Sequence, residues 1–291
     1  MVEKNQIKNA TKMKNENWEN LSLSNGFIFS KVILNEEICK KIIQATTDLP
    51  PIDYIEYVEN EKAIDIRIDA KGVRLDVYVK DGKGKVYNIE MQAVDTGELP
   101  ERSRYYHSVI DLDLLEKGQN YIDIADSYVI FICMEDIFGQ GLARYTFKNR
   151  CMELDDLILD DGTTKIFLNS KGTKGDISED AKDFLNYLEG HRSDSDFIKQ
   201  LENEVATVKA SRKWRAEYMK QHVHDTLNFR KGKEEGINLG VAQGIEQGER
   251  KKTIEMAVKM LSDKMPLETI SKYTGLSIDV IEDLSKDNTS N

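Results

Sequence analysis

Asp76, Glu90 and Gln92 are the residues whose types and spacing could support hydrolysis with the help of a metal ion. They lie in two segments, 73–80 and 85–92, in which polar and apolar residues alternate as they do in β-strands. An Asp-Gly-Lys-Gly run between the segments predicts a hairpin turn. Because successive side chains of a strand point to opposite faces, Glu90 and Gln92 share one face of the predicted hairpin.

The register of this hairpin decides which side chains face each other. A turn centred on Lys83 places Asp76 opposite Glu90 and Arg74 opposite Gln92, whereas a shift by one pair would place Arg74 opposite Glu90. Two facing carboxylates repel each other, and a divalent cation between them removes that repulsion. Oxygen ligands suit Mg²⁺ or Mn²⁺, which can neutralise a scissile phosphate and lower the pKa of a bound water. Spacing alone equally allows an exposed strand face with ordinary surface acids.

A helix is predicted to follow the hairpin at residues 100–117, beginning at a proline and ending near Gly118. Arg102 lies one helical turn before Tyr105 and Tyr106, so these side chains can share a face. The arginine could clamp a phosphate, and a tyrosine could bind it or stack on a base. The alternative is a helix with tyrosines in the core and arginines at a solvated edge. The residues that we expect to contact the substrate are Arg74, Arg104, Tyr105 and Tyr106.

The remaining segments predict a mixed sheet with helices on its faces. A helix from Asn35 to about residue 47 begins at an asparagine that can cap it. Glu36 and Glu37 in its first turn could complete a metal shell, but we favour a simple interaction with the helix dipole. Further strands are predicted at 63–69, 126–134, 143–148 and 165–168, and a further helix at 178–189. This order of elements is typical of an α/β fold.

Three runs resemble one known family: VRLDVY at residues 73–78, VYNIEMQ at 86–92 and PERSRYY at 100–106. They are similar to the recombination-promoting nuclease and transposase family, a branch of the PD-(D/E)XK nucleases, and the similarity covers about residues 20–190. The resemblance implies a restriction-endonuclease-like fold, in which helices flank a mixed β-sheet core. It also implies that Asp76 and Glu90 are metal ligands, with the Met91 carbonyl as a third oxygen.

Gln92 stands at the position where many PD-(D/E)XK enzymes carry lysine, and this family carries glutamine. Glutamine can orient a nucleophilic water but supplies no positive charge. More of the activation would then come from the metal and from Arg102. The sequence also has Leu75 where the motif that names the superfamily has proline.

Composition limits the cellular context and the kind of nucleic-acid contact. The 41 basic and 52 acidic residues give a net charge of −11, which argues against a non-specific nucleic-acid coat but not against a nuclease with a metal and a local basic patch. Residues 1–20 are polar and unlike a signal peptide, and the longest apolar run, 128–134, is too short to span a membrane. The three widely spaced cysteines indicate reduced thiols. We therefore expect a cytoplasmic protein.

The C-terminal third predicts an all-helical extension. Residues 209–233 are rich in Lys and Arg with interleaved aromatics, which suits either a nucleic-acid contact or a solvated helix. Glycine then recurs at every fourth position from Gly232 to Gly248, which predicts self-association through these helices or, alternatively, a flexible linker. Three short helices at 253–261, 266–273 and 277–284 resemble a helix-turn-helix, but the acids of the last one favour a protein contact.

The sequence thus predicts four parts and one leading function. The parts are a polar segment at 1–19, a nuclease-like domain at 20–190, a long helix with the glycine repeat at 191–250 and a small helical module at 251–291. The leading hypothesis is a Mg²⁺- or Mn²⁺-dependent DNA endonuclease in which Asp76 and Glu90 hold the metal, Gln92 positions water and Arg102 stabilises phosphate charge. The alternative is a non-catalytic nucleic-acid-binding or oligomeric scaffold. We expect DNA and a second copy of the chain as partners, and no membrane.

Overall fold

The computed structural model describes residues 17–47, 49–64 and 73–288. The chain divides into two compact units, Met1–Tyr218 and Met219–Asn291. The strands are β1 Ile55–Ile64, β2 Val73–Asp81, β3 Val86–Gln92, β4 Ser127–Cys133, β5 Arg144–Phe147 and β6 Thr163–Asn169. The helices are α1 Gly26–Val32, α2 Glu36–Thr46, α3 Leu99–Leu114, α4 Glu179–Leu188, α5 Asp196–Ala210, α6 Arg212–Ser262, α7 Leu267–Thr274 and α8 Ile278–Asn288. Short 3₁₀ turns lie at Trp18–Asn20 and Tyr121–Asp123.

The strands form one mixed sheet in the order β1-β2-β3-β4-β6-β5. β1, β2 and β3 are antiparallel neighbours, β3, β4 and β6 are parallel, and β5 is antiparallel to β6. β3 and β4 therefore lie at the centre of the sheet. This arrangement confirms the predicted mixed sheet with flanking helices and an all-helical C-terminal extension.

Each face of the sheet packs against its own helices, so both faces are buried. On one face, α1, α2, α4 and α5 contribute Phe29, Ile42, Phe184 and Leu201 to a core that also contains Ile89 of β3. On the other face, α3 packs its apolar side chains against β2, β3, β4 and β6 in a second core. Burial on both faces explains why β4 reads as a continuous apolar run. It also means that a polar side chain on β3 has to find its partners inside the protein.

Strand β2 breaks its alternation at Asp76. The sequence pattern predicts that Leu75, Val77 and Val79 share one face, but Leu75 lies in the core beneath α3 while Val77 and Val79 lie in the opposite core. Across the sheet, Glu61 of β1 has a φ of 58°, in the left-handed region, and stands between residues paired with Leu75 and Val77. Both strands thus depart from regular geometry at the same point, and their pairing resumes in the same register.

Several predicted boundaries are wrong. The strand predicted at 63–69 is in fact Ile55–Ile64, and residues 65–69 lie outside the described residues. Helix α3 ends at Leu114 with an extended residue after it, not near Gly118. Trp18, which lies in the predicted polar segment 1–19, is 1% exposed and belongs to the core. Its indole N–H donates to the Lys209 carbonyl at 3.1 Å and ties this residue to α5.

The glycine repeat is helical throughout, since α6 runs unbroken from Arg212 to Ser262 and includes the helix predicted separately at 253–261. At its C-terminal end Ala257 packs with Ile270 of α7 and Ile281 of α8 in a small core. Gly275 ends α7 with a φ of 73°, which favours glycine at that turn. In the described ranges, no helix has the length and apolar character needed to cross a membrane.

Candidate nuclease site

The hairpin between β2 and β3 brings Asp76 and Glu90 together. Val77 pairs with Ile89 and Lys80 with Val86, which is the predicted register centred on Lys83. The backbone N–H of Asp76 donates to Oε1 of Glu90 at 3.0 Å. The backbone N–H of Met91 lies close enough to the Asp76 carboxylate to lower its pKa. Glu90 is thus held by the backbone of the strand that carries Asp76.

Arg102 connects the acidic pair to helix α3. One guanidinium nitrogen donates to Oε2 of Glu90 at 3.2 Å, and the other donates to Oε1 of Gln92 at 3.0 Å. The guanidinium also donates to the Tyr106 hydroxyl, at 2.8 and 3.2 Å, and lies 5.4 Å from the centre of the Phe131 ring. The helical spacing predicts that Arg102 and Tyr106 can share a face, and the structure places Arg102 in hydrogen-bond contact with the Tyr106 hydroxyl and with the side chains of Glu90 and Gln92.

Gln92 uses both ends of its side-chain amide. Its oxygen accepts from Arg102, and its nitrogen donates to the Val94 carbonyl at 2.5 Å. Its own backbone carbonyl accepts from the Met134 N–H at 3.0 Å, at the end of the parallel pairing between β3 and β4. These contacts fix the orientation of the amide at the edge of the acidic pair.

Burial dominates the electrostatics of both acids. Glu90 is 2% exposed, and its pKa is raised first by that burial and then by the negative charge of Asp76. The pKa of Asp76 is also raised, chiefly by burial, although the Met91 N–H and the Arg102 charge lower it. The nearby guanidinium groups therefore do not fully compensate the partly buried carboxylate of Asp76 and the buried carboxylate of Glu90. A site of this kind favours an additional cation.

Asn88 also lies beside Glu90, although it is not among the site residues predicted from the sequence. It lies two residues before Glu90 on β3, so it points to the same face of the sheet. Its side chain is fully buried, and in the described part of the chain neither its oxygen nor its nitrogen has hydrogen-bond geometry to a partner. It is nevertheless close enough to Glu90 to lower the pKa of that carboxyl. The alternation rule that selected Glu90 and Gln92 would also have selected Asn88.

A cleft of about 470 Å³ adjoins Arg102 along the outer side of α3. Arg102 lines the cleft and also donates to Glu90, and Tyr106 lines the cleft and accepts from Arg102. Arg74 reaches the cleft from β2 but forms an ion pair with Glu61 at 2.5 Å. The structure thus brings all four residues predicted to contact a substrate to one cavity. Its lining consists of Val73, Arg74, Glu98, Glu101, Arg102, Arg104, Tyr105, Tyr106 and Ser108.

Glu36 and Glu37, the acids that could complete a metal shell, and the buried His107 of α3 take part in structural contacts. Glu36 and Glu37 are exposed in the first turn of α2, where Asn35 caps the helix and Lys40 pairs with Glu37 at 2.9 Å. This is the helix-dipole interpretation favoured above. His107 is buried, and its Nδ1 lies 2.8 Å from the Ser127 hydroxyl. Burial lowers the pKa of His107 to about 4, so its imidazole is neutral at physiological pH.

The donor set near Asp76 suits a hard divalent cation with few protein ligands. In residues 17–47, 49–64 and 73–288, no group of three or more His, Cys, Asp and Glu side chains is placed to hold a metal. Two carboxylates are present, and Mg²⁺ commonly binds through one or two carboxylates plus water and substrate phosphates. The raised pKa values of Asp76 and Glu90 fit that role, because a bound cation would compensate the charge that burial leaves unbalanced.

A mixed sheet with an acid pair on a central hairpin, followed by an arginine-bearing helix, defines a nuclease-like α/β protein of the PD-(D/E)XK class. The family model described as PD-(D/E)XK nuclease family transposase matches residues 26–231. The chain therefore belongs to the PD-(D/E)XK nuclease family transposases. The match extends past the predicted limit at residue 190 and includes α5 and the beginning of α6. Searches of curated proteins and of solved structures find no significant match.

Proposed function

We propose that the protein is a metal-dependent DNA endonuclease. The observation that carries this proposal is the pair of Asp76 and Glu90, which are held together on the central hairpin and whose carboxyl pKa values stay raised although the guanidinium groups of Arg102 and Arg74 lie near them. A structural protein has little use for such an arrangement, because it raises the pKa of both acids and destabilises the fold at neutral pH. Membership in a nuclease family gives DNA as the substrate class.

Asp76 and Glu90 would hold Mg²⁺ or Mn²⁺, with the Met91 carbonyl as a third oxygen. Such an ion, when bound, would neutralise phosphate charge and lower the pKa of a bound water. The chain's own contribution is to keep the two carboxylates in place. The backbone N–H of Asp76 and the guanidinium of Arg102 do this for Glu90, each through one carboxylate oxygen.

Gln92 and Arg102 would act on the water and the phosphate. Gln92 can orient a water only by exchanging one of its contacts, with Arg102 or with the Val94 carbonyl. Arg102 carries the positive charge that lysine supplies in many related enzymes, and its planar fork matches phosphate oxygens. Its side chain is 27% exposed and lines the adjoining cleft, so a phosphate in the cleft can reach it.

The cleft beside Arg102 would hold the nucleotide next to the scissile bond. Its volume of about 470 Å³ lies in the range of small-molecule pockets. Arg74 and Arg104 supply positive charge, and Tyr105 and Tyr106 supply aromatic surface on which a base can stack. This combination suits a phosphate with an attached nucleoside better than a purely apolar ligand.

One observation favours a second candidate, a non-catalytic DNA-binding or scaffold protein with the nuclease fold. Arg102 already pairs with Glu90, and Gln92 has both ends of its amide engaged. A protein that had lost catalysis could retain these contacts as a purely structural network. The two candidates differ in whether Mg²⁺ binds at Asp76 and whether DNA is cleaved.

The deciding experiment measures cleavage of supercoiled plasmid DNA and binding of Mg²⁺ by calorimetry on the same preparations. We expect Mg²⁺-dependent cleavage by the wild type, and loss of both cleavage and Mg²⁺ binding in Asp76→Asn. Asp155→Asn, in the connection between β5 and β6 and 85% exposed, is the matched control and should behave as the wild type. DNA binding without cleavage, unchanged by Asp76→Asn, would support the scaffold instead. Equal cleavage by wild type and Asp76→Asn would reject the site.

A further inference from the structure

Helix α6 carries an apolar stripe that nothing in the described part of the chain covers. All residues from 223 to 252 are exposed. Among them and just before them, seven apolar side chains are each between 41% and 58% exposed. Apart from Phe229, which projects from a different side of the helix, they form two triplets with the same four-residue spacing, the first being Met219, Val223 and Leu227, and the second being Ile237, Val241 and Ile245.

The two triplets lie on the same side of the helix. An α-helix turns by about 100° per residue, so the second triplet repeats the first after about five full turns. All six side chains therefore project within an arc of about 80°, and the stripe is about 39 Å long. Leu239 is also exposed, at 62%, but it projects from the opposite side of the helix. The stripe is thus a defined face and not a general apolar character of α6.

The stripe is symmetric about Gly232. The two members of each apolar pair lie at equal distances along the chain before and after Gly232. The pairs are Leu227 with Ile237, Val223 with Val241, and Met219 with Ile245. Arg230 and Glu234 are also equidistant from Gly232, and both project from the stripe, between the two triplets. A face with this symmetry is complementary to itself when two helices run in opposite directions.

The charges select the direction. In an antiparallel pair, Arg230 of each helix meets Glu234 of the other, and every apolar side chain meets another apolar side chain. In a parallel pair with the same alignment, Arg230 would meet Arg230 and Glu234 would meet Glu234, which is unfavourable. We propose that two copies of this protein associate through α6 as an antiparallel helix pair centred on Gly232.

The repeated glycines do not carry this proposal. A Cβ atom added at any of the five helical glycines from Gly232 to Gly248 would meet nothing within 4 Å in the chain. Gly232, Gly236 and Gly240 project away from the stripe, so they need not lie between the paired helices. The pairing rests on the apolar triplets and on the central charged residues.

The first test is the mass of the full-length protein in solution, measured by light scattering after size exclusion over a range of concentrations. We expect twice the chain mass of 33.3 kDa for the wild type and the single chain mass for Val223→Glu and Val241→Glu. Leu239→Glu places the same charge on the opposite side of the helix and should remain a dimer. A wild type that stays monomeric at high micromolar concentration would overturn the proposal and leave a different protein or DNA as the occupant of the stripe. The plasmid assay is independent of this result.

The second test addresses the direction of the pair. Arg230→Glu and Glu234→Arg should each weaken dimerisation roughly tenfold or more, and the double variant should restore it, because the exchange re-creates both ion pairs. Cysteine pairing gives an independent readout in a Cys151→Ser background, since Cys151 is the partly exposed thiol. A mixture of Leu227→Cys and Ile237→Cys chains should form the mixed disulfide. A disulfide formed by Leu227→Cys chains alone would overturn the antiparallel arrangement.

Discussion

Replacing Glu90 by glutamine should make the protein more stable at neutral pH in the absence of metal. The folded state raises the pKa of Glu90 above its ordinary value of 4.5, chiefly through burial. The folded state therefore holds a proton that the unfolded state has released, and stability falls as the pH rises from about 4.5 toward the raised pKa. Glutamine has no such proton to lose, so the variant does not carry this penalty.

The magnitude follows from the pH interval and from the contacts of Glu90. Each pH unit between 4.5 and the working pH costs up to about 1.4 kcal/mol, so the penalty at pH 7 is at most about 3 kcal/mol. Glutamine has one side-chain oxygen where glutamate has two, so the variant loses the hydrogen bond from Arg102, worth about 1 kcal/mol. A glutamine oxygen can still accept from the Asp76 N–H. The net gain is therefore about 1–2 kcal/mol, or roughly 2–8 °C in Tm.

The assay is thermal unfolding followed by circular dichroism with EDTA or with Mg²⁺, at several pH values. With EDTA, the advantage of Glu90→Gln should be largest near pH 8 and should disappear toward pH 4.5. With Mg²⁺, the wild type should gain stability through ligand binding and the variant should not. Glu37→Gln, in the exposed first turn of α2, is the control and should change stability by no more than about 0.5 kcal/mol. A variant that is less stable than wild type with EDTA at pH 8 would refute the reasoning.

Three further predictions concern other residues. His107→Gln should remove a pH dependence of the folding stability, because the folded state lowers the pKa of His107 from 6.5 to about 4. The free energy of unfolding of the wild type, measured with urea, should fall by up to about 3 kcal/mol as the pH falls through this interval. An equal dependence of stability on pH in the variant would contradict this. Arg102→Lys keeps the positive charge but loses the planar guanidinium that donates to Glu90, Gln92 and Tyr106. Plasmid cleavage should therefore slow by roughly 10- to 100-fold, and an unchanged rate would exclude a role for the guanidinium geometry. Gly240→Ala should stabilise α6 by about 1 kcal/mol, because alanine favours the helix over glycine and the new methyl group meets nothing within 4 Å. The gain should appear as roughly fivefold slower amide exchange around that position, and faster exchange would show that glycine is required there.

The local parts of the site could be predicted from sequence because they depend on short-range rules. The turn around Lys83 fixes the register that joins Asp76 to Glu90, and the alternation of β3 places Gln92 on the same face. The cap at Asn35 likewise follows from residue type alone, and its side chain accepts from the Glu37 and Ile38 N–H groups.

The parts that could not be predicted depend on distant contacts. The strand Ile55–Ile64 carries many charged residues because it lies at the edge of the sheet, so its pattern lacks a regular apolar alternation. The break of alternation at Asp76 involves Glu61 on another strand, which no period within β2 can reveal. The burial of Trp18 depends on a carbonyl at Lys209, far along the chain.

The hydrogen bond between Arg102 and Glu90 has a thermodynamic consequence. The guanidinium is shared between a carboxylate that a metal would also use and a cleft that a phosphate would enter. If Glu90 held a cation, the guanidinium of Arg102 would be free to turn toward the cleft, and a phosphate that bound the guanidinium would leave Glu90 available to the cation. Binding of the two ligands is then linked, and each must raise the affinity for the other by the same factor. We therefore expect Mg²⁺ to bind more tightly when DNA is present, and Arg102→Met to abolish that enhancement in calorimetric titrations.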